Sequence, residues 1–224
     1  MRSAAIAERD PYAAFVRANT ALASPPLVPE IRLHSADEIL PIWQETERSL
    51  DEAGVEPPFW AFAWAGGQAL ARYILDRPGT VAGRRVLDFA SGSGLAAIAA
   101  AMAGAARVEA SEIDPHALAA IGLNAAANGA RIEAIAGDIV GHAGRWDVVL
   151  AGDVCYERPM AERAFAWLRT LAAAGTEVLL GDPGRNYLPK SGLEALADYS
   201  VKTSRAVEDT DVRNTRVWRV LGRD

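Results

Sequence analysis

The sequence predicts an α/β protein with a doubly wound sheet of seven strands, mostly parallel, and an antiparallel hairpin at one edge. Three observations carry that fold class. From Phe59 onward, strand-length apolar runs alternate with helix-length ones, the pattern of a parallel sheet covered on both faces. One of those runs, Arg85–Phe89, opens into a glycine-rich loop that feeds a helix. The last two strand-like runs, Tyr199–Ser204 and Thr215–Leu221, have no long helix between them and therefore pair as a hairpin.

Two regions follow from the pattern, an N-terminal helical extension over 1–55 and the main domain over 56–224. Asp10 before Pro11 is an N-cap with proline at the first helical position, so a helix is expected over Tyr12–Ala23. Ser24–Pro29 holds three prolines and reads as a linker. Ser35, with Glu38 three residues on, is a capping box for a second helix that runs through Ile39, Ile42, Trp43 and Leu50, with Pro41 in its first turn or kinking it. The apolar stripe of this extension is too small to fold alone, so it packs on the main domain. There, helices are expected over Trp64–Leu75, Gly94–Ala105, Pro115–Asn128 and Pro159–Ala174, with a short one near Ser191–Ala197. The intervening strands are Arg85–Phe89, Arg107–Glu112, Arg131–Ile135, Trp146–Leu150 and Glu177–Leu180.

Composition narrows the function. With 224 residues and half of them apolar, the chain has material for one well-filled domain. Its 23 Lys plus Arg against 29 Asp plus Glu leave a net charge of −6, which argues against a broad phosphate footprint and so against a nucleic-acid partner. Cys155 is the single cysteine, which excludes an internal disulfide and a cysteine zinc site; His34, His116 and His142 show no metal-ligand spacing, so no metal is expected. Met1–Asp10 develops no signal-peptide core. Ala90–Ala106 is uncharged for 17 residues but too short and too rich in Ala, Gly and Ser to cross a bilayer. A cytoplasmic protein without a membrane partner is the expectation.

The chemistry gathers at Val86-Leu87-Asp88-Phe89-Ala90-Ser91-Gly92-Ser93-Gly94-Leu95. In an open parallel sheet, ligands bind beyond the carboxyl ends of the strands, where the strand order reverses. Read alone, Gly92-Ser93-Gly94-Leu95-Ala96-Ala97 also satisfies the dinucleotide fingerprint G-x-G-x-x-A, so the loop by itself leaves a nicotinamide-dependent oxidoreductase open. Three further acids stand at strand ends. Glu112, 24 residues after Asp88, is placed to accept ribose hydroxyls; Asp138, to accept from an adenine amine; Asp153 ends the fourth strand. A cup of four carboxylates repels a pyrophosphate and suits a ligand carrying a sulfonium and an ammonium group, S-adenosylmethionine.

Asp88-Phe89-Ala90-Ser91-Gly92-Ser93-Gly94 resembles the first motif of the Rossmann-like, seven-strand class I methyltransferases, with Ala90 where glycine is commoner. That resemblance implies cofactor binding at Trp64, Asp88, Ala90, Gly92, Gly94, Glu112, Ile113, Asp138 and Ile139. The segment Pro58-Phe59-Trp60-Ala61-Phe62-Ala63-Trp64-Ala65-Gly66-Gly67-Gln68-Ala69-Leu70 is similar to the corresponding stretch of the electron transfer flavoprotein β-subunit lysine methyltransferase family, and Asp153-Val154-Cys155-Tyr156 matches the D-x-x-[YF] motif of that group. The likeness implies N-methylation of a lysine on a protein, with the flavoprotein β subunit as leading candidate; a ribosomal protein or a small amine is the alternative.

A lysine with pKa near 10.4 must lose its proton before it attacks, at a cost of roughly 4 kcal/mol near pH 7.4. On this reading Asp153 positions the amine and accepts its hydrogen bonds, Tyr156 adds a hydrogen bond or a wall, and the proton leaves to solvent. Trp60, Trp64 and Gln68 are expected along the lysine channel, the two indoles through cation–π contact or, equally, as one buried helix face.

Overall fold

The computed structural model describes residues 10–36, 42, 58–203 and 210–222. Asp10 caps α1 (Pro11–Asn19), its Oδ1 accepting from the Tyr12 N–H at 3.0 Å. The helix ends four residues before the expected Ala23, because Thr20 turns extended and the chain enters β1 (Ala21–Ala23), which pairs antiparallel with β2 (Leu33–Ser35). The extension is therefore not wholly helical: long-range pairing overrides the local helical spacing that Leu22 contributes. Of the second expected helix, Ser35 is the last residue of β2 and Ala36 follows it; the remainder lies outside the described residues except for Ile42, which is buried with Val16 and Trp60.

The extension is sewn to the main domain by backbone groups. Asn128 and Asn124, on and just after α4 (Pro115–Ala127), accept from the N–H groups of Arg32 and His34 at 2.9 and 2.7 Å. Val28, Ile31 and Leu33 enter the main core, each fully buried, a gain of roughly 1.5–3 kcal/mol apiece relative to exposure.

The main domain is built on a seven-strand sheet of β3 (Arg85–Phe89), β4 (Arg107–Glu112), β5 (Glu133–Ala136), β6 (Val148–Gly152), β7 (Glu177–Asp182), β8 (Leu193–Lys202) and β9 (Val212–Val220). Their order is β5-β4-β3-β6-β7-β9-β8; β3 to β7 are parallel, and β9 runs antiparallel to both β7 and β8. Side chains alternate between faces along each strand, so Val86 and Leu150 face one layer while Leu87 and Val149 face the other. The first layer is α2 (Ala65–Asp76), α3 (Leu95–Met102) and α4, through Leu70, Ile98 and Ile121. The second is α5 (Arg158–Ala173), through Trp167, Leu168 and Leu171. Strand order reverses between β3 and β6, so the crevice for a ligand opens beyond their carboxyl ends.

One expected element changes type. The residues near Ser191–Ala197 form the first half of β8, not a helix. Leu-Glu-Ala-Leu-Ala is good helix material, yet pairing with β9 decides the outcome: Leu193 faces Val220, Glu194 faces Arg219, and the latter two form an ion pair at 2.7 Å. The edge hairpin itself is present, longer than the sequence suggested.

Candidate active site

A cavity of about 580 Å³ lies at the carboxyl ends of the central strands, within the usual range for a small-molecule site. The glycine loop forms its floor. Ala90, Gly92 and Gly94 all take the left-handed conformation (φ 50, 55 and 84°), so the alanine in the glycine-preferring position adopts the loop geometry at some backbone cost. Ala90 and Gly92 line the cavity. Gly94 is not among the lining residues; it starts α3, where its φ of 84° favours glycine and a Cβ would stand at ordinary contact distance, 3.4 Å, from Ile121 Cγ1.

Asp88 is 2% exposed and lines the cavity, but its Oδ2 is committed to the loop: it accepts from Ser91 Oγ at 2.6 Å and from the Ala97 N–H at 2.9 Å. Burial pushes its carboxyl up to about 7, against the hydrogen bonds that pull it down. Glu112, at the tip of β4, fastens the other side of the loop, Oε1 taking the Gly92 N–H at 2.6 Å and Oε2 the Ile113 N–H at 3.0 Å. Burial also raises the Glu112 pKa. A carboxylate has about four lone-pair positions, so capacity for a ligand hydroxyl remains beside the backbone N–H groups of Gly92, Ile113 and Asp114. Asp114, not Glu112, caps α4, accepting from the His116 N–H at 2.8 Å.

Beyond β5, Asp138 and Ile139 line the cavity, as does Ile113, whose side chain is 64% exposed. Asp138 accepts from the Val140 N–H at 3.0 Å and pairs with Arg163; these bonds lower its pKa.

On the opposite side, Asp153 follows β6 with φ 56°, a strained value for an aspartate. Its Oδ1 receives Arg185 Nη2 at 2.7 Å and Nε at 3.1 Å, and its Oδ2 the Gly67 N–H at 3.1 Å. Arg185 also lies 5.5 Å from the Trp64 ring centroid. The close approach of α2 to β6 and β7 makes this possible. A Cβ on Gly66 would stand 2.2 Å from Gly181 O and 2.5 Å from Asp153 Oδ2, so only glycine fits. Tyr156 lines the mouth at 46% exposure, its ring 5.3 Å from that of Phe59.

Expectations for the channel and for the cup need correction. Gln68 is not in the channel: it is buried, bonded to Leu27 N–H and Ala63 O at 3.2 and 2.6 Å, and ties the extension to α2. Trp60 touches the cavity but is 2% exposed and stacked near-parallel on His116 with centroids 6.3 Å apart, the buried packing role rather than the cation–π one. At Trp64, which does line the cavity, the nearby cation is the protein's own Arg185. The four-carboxylate cup is correspondingly less negative than the sequence implied, since Asp138 and Asp153 have arginine partners and burial favours the neutral form of Asp88.

Sequence reasoning missed Arg163, Arg185 and the Gly66–Gly181 contact. A signal existed for the last: glycine inside a helix and inside a buried strand is costly unless another backbone approaches.

Comparison with known proteins places this geometry. The ribosomal protein L11 methyltransferase (PrmA) family matches residues 68–154. The electron transfer flavoprotein beta subunit lysine methyltransferase of Xenopus laevis is 37% identical over 211 residues, 91% of this chain and 85% of that protein. The Homo sapiens protein of the same name is 37% identical over 213 residues, 92% and 80% of the two chains. Magnesium protoporphyrin IX methyltransferase from Synechocystis PCC 6803 with bound SAM (S-adenosylmethionine) superposes with a TM-score of 0.51 at 20% identity, over 81% of this chain and 98% of its own, a likeness of fold.

Proposed function

Because this chain belongs to the electron transfer flavoprotein β-subunit lysine methyltransferase family, and is an S-adenosylmethionine-dependent protein-lysine N-methyltransferase, we propose that it methylates a lysine on the β subunit of electron transfer flavoprotein. The nicotinamide-dependent reading of the glycine loop is thereby set aside. The observation that carries the site assignment is that Asp153 shares one cavity with the glycine loop and Glu112.

When bound, S-adenosylmethionine supplies a methyl group on a positively charged sulfur; the carbon–sulfur bond breaks as the carbon–nitrogen bond forms. The residues around the cavity fit such a guest. Glu112 keeps lone pairs free for ribose hydroxyls, Asp88 holds Ser91 and the first turn of α3 so that the loop backbone stays in place, and Ile113, Asp138 and Ile139 line the adenine end. On the other side Asp153 orients the lysine amine by accepting its hydrogen bond, and Phe59 and Tyr156 wall the mouth. Orientation of this kind contributes roughly 7–11 kcal/mol in model reactions, more than the roughly 4 kcal/mol of deprotonating the amine, whose proton leaves to solvent. The lone buried thiol, Cys155, accords with a reducing cytoplasm as the working compartment.

Incubation of the protein with labelled S-adenosylmethionine and purified β subunit, followed by mass spectrometry, tests the substrate. A labelled lysine on the β subunit is expected. Label on ribosomal protein L11 or on a small amine instead, with the β subunit blank, contradicts it.

A further inference from the structure

We propose that Arg185 is a positioning residue that keeps Asp153 from trapping a protonated lysine, an inference resting on the reading that the substrate amine enters beside Asp153. The guanidinium grips one oxygen of that carboxylate through two nitrogens, Nη2 at 2.7 Å and Nε at 3.1 Å, with the two side chains 18% and 10% exposed. A pair so little exposed is weakly screened. Arg185 is also built into its place. Asp182, the last residue of β7, accepts the N–H groups of Gly184 and Arg185, each at 2.7 Å, and the guanidinium rests over the Trp64 ring.

A bare carboxylate in this position attracts an ammonium strongly, and a trapped ammonium has no lone pair with which to attack. Once paired with a guanidinium, which stays charged throughout the working pH range, Asp153 offers an incoming group a hydrogen-bond acceptor without net charge. The neutral amine is then the form the site prefers. Neighbouring groups do not replace this effect. Behind Asp153, burial raises both the Cys155 thiol, to about 12, and the Asp182 carboxyl. Tyr156 and Glu157 stand at the start of α5, and Asp88, Glu112 and Asp114 lie on the loop side, all acids. Among the described residues, the other cation of the cavity wall, Arg163, is engaged by Asp138.

The test uses n-butylamine as a lysine side-chain probe, titrated by NMR against the full-length wild type, R185Q, R185A and R185K from about pH 7 to about pH 10.5, spanning the amine pKa. Wild type and R185K should bind the probe more tightly as pH rises. R185Q and R185A should bind it about tenfold more tightly than wild type at pH 7, and lose that advantage above the amine pKa. Turnover should separate in the opposite direction: R185Q falls about tenfold or more at pH 7 and recovers toward wild type near pH 10, while R185K keeps the wild-type profile. Arginine variants that bind the probe no better than wild type at pH 7, or that lose turnover by the same factor at every pH, overturn the proposal. If the wild type leaves the β subunit unmethylated, the substrate assignment fails, and the butylamine titration still decides the role of Arg185.

Discussion

The two sides of the cavity are built by different means. Around β3 and β4 the polar groups hold one another locally: Asp88 with Ser91 and Ala97, and Glu112 with Gly92 and Ile113. Around β6 and β7 the polar groups come from afar. Asp153 meets Gly67, 86 residues away, and Arg185, 32 residues away, and both meetings depend on backbone contact between Gly66 and Gly181. The donor side is thus a folded loop, while the acceptor side is a product of helix–sheet packing. Substitutions should tell them apart.

The largest effect is expected from Gly66→Ala. Its Cβ would collide with carbonyl and carboxylate atoms that belong to backbone or to a held side chain, so stability should fall by about 3 kcal/mol or more, measured by urea unfolding. A change below about 0.5 kcal/mol would show that α2 yields freely and that the acceptor side is not fixed by this contact.

Next in size, Asp153→Asn should lower turnover by about a hundredfold while cofactor affinity, read by calorimetry, stays near wild type. Parallel loss of both would erase the division between the two sides.

Asp88 gives a pH signature to the donor side. Its folded pKa, about 7, lies above the unfolded carboxylate value, so the folded state binds more protons across that interval. Its contribution is therefore most favourable at low pH and declines as pH rises from about 4 to about 7. Stability of Asp88→Asn relative to wild type should rise through that window by up to about 1.4 kcal/mol per pH unit, then level off. A flat difference curve would mean that the carboxyl is not desolvated as its burial implies.

The smallest effect belongs to Arg163→Ala. Its pair with Asp138 is exposed, with side chains 56% and 45% accessible, and should contribute under about 1 kcal/mol by thermal unfolding. A loss as large as that of a buried pair would blur the contrast with Asp153 and Arg185.

This difference also explains what the sequence made legible. The strand–loop–helix around Asp88, the cap at Asp10, and the acids at strand tips are written in neighbouring residues, and they appear where expected. The β1–β2 hairpin and the strand at Leu193 depend on partners 10 or more residues away, which local periodicity does not register. Gln68 failed as a channel residue for a related reason, and Trp60 took the buried one of its two expected roles: motif position says which residues are near a site, while packing against Leu27 and His116 decides which way they serve. Arg185 lies 32 residues after Asp153, the first residue of the D-x-x-[YF] motif, with no pattern of its own, and only the turn at Asp182 brings it back to Asp153.

The division of labour is tested most directly by calorimetric titration of S-adenosylmethionine into wild type, Glu112→Gln and Asp153→Asn. Glu112→Gln is expected to bind about tenfold more weakly and Asp153→Asn to bind as wild type does. Full affinity in Glu112→Gln together with lost affinity in Asp153→Asn would contradict that division.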